Sequence, residues 1–220
     1  MIKAFLFDLD GTLVDTLGDI GSIMNQFLRS KGWPEHSLEA YRTMVGSGFL
    51  NLIKAAVPPS ESRRADELYP EAYALYESKG TGDSKPYPGA EEALRALAAA
   101  GAGLAVVSNK PDAIAVKMVR GLFSGIPFAL VSGARDGAPR KPDPAVALEA
   151  ARACGAEPRE CAFVGDSDVD MRTAIAAGML PVGAAWGFRG EAELAAAGAR
   201  VMAASIADVP PLFGSSPDRE

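Results

Sequence analysis

IKAFLFDLDGTLVD, residues 2–15, is an apolar run that ends in acid. Ile2 and Ala4 to Phe7, interrupted only by Lys3, read as a short strand buried on both faces, the kind found inside a parallel sheet. The run discharges into Asp8, Leu9, Asp10, Gly11 and Thr12. Residues two apart on an extended chain point the same way, so Asp8 and Asp10 present two carboxylates at one strand end. Gly11 lets the chain turn there without a side-chain clash. Two converging carboxylates repel, and a divalent cation is the simplest partner that holds them together. On this stretch alone an ordinary Asp-rich turn fits as well. A calcium-binding helix–loop–helix does not: it needs glycine at the sixth loop position and glutamate at the twelfth, where Leu13 and Asp19 stand.

The remaining chain sets the frame. At 220 residues it holds one large domain, or one domain with an insertion. The hydrophobic share of 48% with 23% charged residues fits a soluble protein with a real core. A net charge of −6 argues against a nucleic-acid partner or an anionic membrane surface. Cys154 and Cys161 make neither a disulfide framework nor a zinc site and read as packing residues. No basic segment followed by a long apolar stretch opens the chain, and Leu94 to Val107 is too short and too broken to span a bilayer. A cytoplasmic protein is expected.

From Asp15 the character changes. Ile20, Ile23, Met24, Phe27 and Leu28 fall on one helical face before Gly32, and three further helical patterns follow up to Tyr76 with no strand among them. Residues 15–81 therefore read as an all-helical insert, with GTGDSKPYP (residues 80–88) as its return linker. Residues 1–14 and 82–213 read as an α/β core in which strands and helices alternate strictly, which implies a Rossmann-like, doubly wound parallel sheet. Residues 214–220 are a polar tail expected to fray.

Ligands of such a sheet bind outside the carboxyl ends of its strands. Those ends carry Asp8 and Asp10; Ser108 and Asn109; Lys141 in the loop after the third strand; and Gly165, Asp166 and Asp170. Taken singly, Ser108 and Asn109 suit a helix cap, Lys141 suits a solvated position beside an Asp143 N-cap, and the acids of GDSDVD suit another cap. Four such sets on one sheet edge suit phosphoryl transfer. Asp8 can attack phosphorus, and Asp8 and Asp166 can ligate magnesium. Asp10 can offer its backbone carbonyl to that ion while its side chain moves protons. Lys141 and Ser108 can neutralise phosphoryl oxygens. Asp170, one helical turn beyond Asp166, is placed to orient Lys141 or a metal-bound water.

DLDGT (residues 8–12), Ser108-Asn109, Lys141 in RKPDP and GDSDVD (residues 165–170) resemble, in order, the four motifs of the haloacid-dehalogenase-like phosphatase superfamily. The resemblance implies an aspartate nucleophile at Asp8, an acid/base at Asp10 and a magnesium cofactor on Asp8, Asp10 and Asp166. It further implies phosphate contacts at Gly11, Thr12, Ser108, Asn109 and Lys141, and a cap domain in the helical insert. FDLDGTLVDT, SLEAYRTMVGSG, YPGAEEAL, VSNKPDA and AAWGFRG are most similar to the phosphoglycolate phosphatases, which implies a small phosphorylated metabolite as substrate. Arg42 and the Gly46–Gly48 loop are then candidates to meet its carboxylate. A phosphosugar phosphatase, a phosphomutase and a pyrophosphatase share the same chemistry; a binding module that had lost activity would be expected to lack one of Asp8, Asp10, Lys141 or Asp166.

Overall fold

The computed structural model describes residues 1–79 and 82–214. The chain runs through β1 (Ala4–Phe7), β2 (Val14–Asp15), α1 (Leu17–Ser30), α2 (Leu38–Met44), α3 (Phe49–Ala56), α4 (Ala65–Lys79) and β3 (Lys85–Pro86). It continues through α5 (Ala90–Ala99), β4 (Gly103–Pro111), α6 (Asp112–Leu122), β5 (Phe128–Ala134), α7 (Ala145–Ala153), β6 (Cys161–Gly165), α8 (Asp168–Ala177), β7 (Leu180–Ala184), α9 (Glu191–Ala196) and β8 (Val201–Ala203). Six strands form one parallel sheet in the order β5-β4-β1-β6-β7-β8. Counted within that sheet the order is 3-2-1-4-5-6, and it reverses beside β1, where a crevice opens at the strand ends.

Alternation along β1 divides the core. Phe5 and Phe7 pack with Leu94 and Leu97 of α5 and Met118 and Val119 of α6 on one face. Ala4 and Leu6 pack with Ala147 and Ala150 of α7 and Ala174 of α8 on the other. All four β1 side chains are fully buried, and each phenylalanine stabilises the fold by about 2–3 kcal/mol. This strand is hydrophobic throughout because helices cover both faces.

The helices between β2 and β3 build a core of their own. Ile20, Met24, Phe27, Tyr41, Leu52, Ile53, Leu68 and Tyr76 cluster together, and among the described buried residues only Ile114 and Phe188 join them from the sheet unit. One expectation needs correction here. Asp15 belongs to no helix: β2 pairs antiparallel with β3, Val14 opposite Pro86 and Asp15 opposite Lys85. Two-residue strands carry no readable periodicity, so this ribbon is invisible in the sequence, and part of the return linker is strand. Asp19 ties the same junction from α1 by accepting from the backbone N–H groups of Asp83 and Ser84 at 3.0 and 2.7 Å. The first two residues of the expected linker, 80 and 81, and most of the expected frayed tail lie outside the described residues.

Two cap assignments also change. β4 runs to Pro111, past both Ser108 and Asn109, because β5 extends alongside it to Ala134. Ser108 and Asn109 are thus strand residues and do not cap α6. Pro144, not Asp143, holds the position before α7; Asp143 instead accepts from the Ala145 N–H at 2.9 Å, a local turn made by a short acidic side chain.

Candidate active site

The crevice beside β1 collects every core residue singled out above. Asp8 follows β1 directly, Ser108 and Asn109 lie near the end of β4, and Asp166 follows β6. Lys141 arrives on the loop before α7, and Asp170 sits in the first turn of α8. Asp8, Ser108, Asn109, Lys141, Asp166 and Asp170 are all buried.

Lys141 is the electrostatic centre. Its Nζ lies 2.9 Å from Asp8 Oδ1 and 2.7 Å from Asp170 Oδ1. Burial works against this ammonium, but Asp170 and Asp8 together outweigh it and raise its pKa. Asp170 pairs with Lys141 through Oδ1. Its other oxygen accepts from Ser167 N at 3.0 Å and Ser167 Oγ at 2.6 Å, which joins the helix start to the site. Asp170 is therefore engaged through both oxygens.

Asp8 is engaged through one. Oδ1 accepts from the Leu9 N–H at 2.7 Å as well as from Lys141, while Oδ2 takes no hydrogen bond from the described residues. Asp166 accepts from Thr12 Oγ1 at 3.2 Å and from the Phe188 N–H at 2.7 Å. Gly11 (φ +81°) and Gly187 pack so closely on the Asp166 side chain that a Cβ at either position would collide with it. Thr12 thus reaches the site by holding Asp166, and its carbonyl accepts from Trp186 Nε1 at 3.0 Å.

Ligand oxygens of Asp8, Asp166 and Asp170 lie within 4.8 Å of one another. The Asp10 carboxylate is outside this trio, and its Oδ1 accepts from Lys110 Nζ at 2.7 Å. Four carboxylates face two ammonium groups, Lys110 and Lys141, so the site carries two uncompensated negative charges. A buried oxygen-lined site of that charge fits a hard divalent cation such as Mg²⁺, with Asp8 and Asp166 as the residues to hold it. Without such an ion, burial pushes the Asp8 carboxyl up to about 7 against the opposing pull of Lys141. Burial, reinforced by Asp170 and Asp8, also raises Asp166.

A stability prediction follows from the sign of the Asp8 shift. Its folded-state pKa lies above the ordinary value of 3.8, so folding favours the protonated form, and its contribution is lost as pH rises toward about 7. In chelator, the stability of Asp8→Asn relative to the unsubstituted protein should rise between those two pH values and level off above them. Paired urea titrations across this range measure it, and a flat difference would count against the buried, charge-disfavouring setting of Asp8.

Lys110 and Tyr76 were not recognised as site residues from sequence. Lys110 is buried in β4 and donates both to Asp10 and to the hydroxyl of Tyr76, which comes from α4 across the junction with the insert. Burial pushes the Tyr76 phenol up to about 12, so it stays protonated. The available signal was the strand itself, since a lysine inside VVSNKP continues a buried run. Asn109 links three segments, donating through Nδ2 to the carbonyls of Gly46 and Lys141, both at 3.0 Å. Gly46 and Gly48 line the cavity over Asp8 and Asp10, and Arg42 does not line it. Its guanidinium meets Glu39 at 3.3 Å and the Phe188 carbonyl at 3.4 Å. A side chain in the last turn of α2 turns outward once Tyr41 takes the buried position.

Residues 2–178 match the family model described as haloacid dehalogenase-like hydrolase. The chain belongs to this family. It is 35% identical over 187 residues to a protein of Xylella fastidiosa strain Temecula1 named phosphoglycolate phosphatase, covering 85% of this chain and 82% of that one. A Chromobacterium violaceum protein of the same name is 30% identical over 213 residues, 94% of this chain and 95% of that one. The crystal structure of a predicted phosphoglycolate phosphatase from Haemophilus somnus 129pt superposes with a TM-score of 0.86 at 28% identity, covering 96% and 98% of the two chains. No helix among the described residues is long and apolar enough to cross a membrane.

Proposed function

We propose that this phosphatase is a cytoplasmic enzyme that hydrolyses 2-phosphoglycolate, a small phosphorylated metabolite, with Mg²⁺ as cofactor and Asp8 as nucleophile. The observation that carries the reading is the state of Asp8: one oxygen is fixed by Lys141 and Leu9, and the other is free at the cavity. A carboxylate so held needs no reorientation to attack phosphorus, and attack forms an aspartyl-phosphate as the glycolate oxygen leaves. The bound ion would supply Lewis-acid stabilisation of the phosphoryl oxygens. Lys141 adds its charge beside them, and Ser108 and Asn109 border the same space with hydrogen-bonding groups. Gly11 and Thr12 serve it indirectly, by fixing Asp166.

Asp10 has the other task. Two residues from Asp8 and oriented by Lys110, its carboxyl is placed to protonate the departing alkoxide and then to take a proton from the water that hydrolyses the aspartyl-phosphate. The helical insert covers the site with Ile20, Val45, Phe49 and Leu52, an apolar roof that excludes bulk water. In this reading residues 15–81 act as a cap hinged at the β2–β3 ribbon.

Purified protein should release phosphate from 2-phosphoglycolate faster than from sugar phosphates or pyrophosphate, and only with a divalent cation present. Activity undiminished by exhaustive chelation would remove the metal from the account. A sugar phosphate preferred over 2-phosphoglycolate would replace the substrate.

A further inference from the structure

We propose that Lys110, held in place by Tyr76, selects substrates that carry a carboxylate beside the phosphate. The assignment rests on the phosphomonoesterase reading above and adds to it the residue that reads the other end of the substrate.

A cavity between the strand ends and the insert opens over Asp8 and Asp10. Among the described residues that line it, Asp8 and Asp10 are negative and Lys110 is the single cation. The insert contributes apolar side chains and the Tyr76 hydroxyl, and its candidate arginine, Arg42, is engaged outside the cavity. A substrate carboxylate entering this space finds its only opposite charge in Lys110 among the described lining residues, beside the neutral polar groups of Ser108, Asn109 and Tyr76.

An ammonium group has three N–H donors. Lys110 gives one to Asp10 Oδ1 at 2.7 Å and one to the Tyr76 hydroxyl. The third has no partner among the described residues. A lysine buried this deeply costs several kcal/mol of desolvation, and a group kept only for packing would be replaced by methionine without that cost. Tyr76 matters because it is the insert's grip on this ammonium. It draws Nζ to the boundary between insert and sheet, where an anion enclosed by the insert would lie. The insert thereby contributes to anion recognition through a core lysine rather than a cation of its own.

The test compares 2-phosphoglycolate with 2-hydroxyethyl phosphate, which replaces the carboxylate by a neutral hydroxymethyl group of similar length. The unsubstituted protein should favour the carboxylated ester in kcat/KM. In Lys110→Met that preference should fall by about 10- to 100-fold, the value of a charge-assisted hydrogen bond, whatever happens to the absolute rates. Lys110→Arg should keep most of it. Tyr76→Phe, which leaves the lysine in place if the methionine variant misfolds, should reduce it several-fold. If Lys110→Met slows both substrates equally and keeps the preference, the lysine only orients Asp10 and the proposal is overturned. The two readings separate on further substrates. A protein that ignores 2-phosphoglycolate but favours 3-phosphoglycerate over glycerol phosphate, and loses that preference in Lys110→Met, sustains the role of Lys110 and overturns the named substrate. No preference for any carboxylated ester overturns the role of Lys110.

Discussion

Asp8→Asn is expected to lower turnover of 2-phosphoglycolate by about 10⁴-fold or more while the protein stays folded. The reason is chemical. Asparagine matches aspartate in shape, and its side-chain oxygen can still accept from the Leu9 N–H and from Lys141. Its neutral amide is a poor nucleophile toward phosphorus and a weaker metal ligand than a carboxylate. Packing does not depend on the charge, because the carboxyl already resists ionisation: burial holds it near 7. Phosphate release and a thermal melt on the same sample test both halves. Turnover comparable to the unsubstituted protein would exclude Asp8 as nucleophile; loss of the folded state would show that its charge was structural.

Lys141→Met is expected to have the largest effect on stability. The ammonium is buried between Asp8 and Asp170, 2.9 and 2.7 Å away. Removing it strands the fully buried Asp170 beside two other acids. Deleting one partner of a buried ion pair costs about 3–5 kcal/mol, a large share of the 5–15 kcal/mol that holds an ordinary domain together. Urea unfolding in chelator should read this loss directly. Adding Asp170→Asn should recover part of the stability, because the stranded charge is gone, yet restore no activity. A single-variant loss below about 1 kcal/mol, typical of exposed pairs, would contradict the buried three-residue cluster.

How much of this was legible in the sequence follows from the range of each signal. The sheet could be read because buried parallel strands are short apolar runs bounded by turn residues, and Ala4 to Phe7, Leu104 to Val107 and Cys161 to Val164 are such runs. The site could be read because chemistry in this architecture gathers at strand ends, so Asp8, Ser108, Lys141 and Asp166 could be put on one edge from element order alone. What escaped depended on pairings with no local trace. The β2–β3 ribbon joins Asp15 to Lys85 across the whole insert. The Lys110–Tyr76 pair joins β4 to α4. Asp143 and Arg42 show the opposite failure, since each had a plausible local role that was settled by its neighbours: Pro144 took the cap position, and Tyr41 took the buried face of α2.

The central claim is that Asp8 carries the phosphoryl group. The most direct measurement is a rapid-quench time course of the magnesium-loaded protein with radiolabelled 2-phosphoglycolate, stopped in acid through the first turnover, digested and sequenced by mass spectrometry. A transient phosphorylated peptide bearing the group on Asp8, absent from Asp8→Asn, is expected. A complete first turnover with no phosphorylated peptide, or with the group on any other residue, would contradict it.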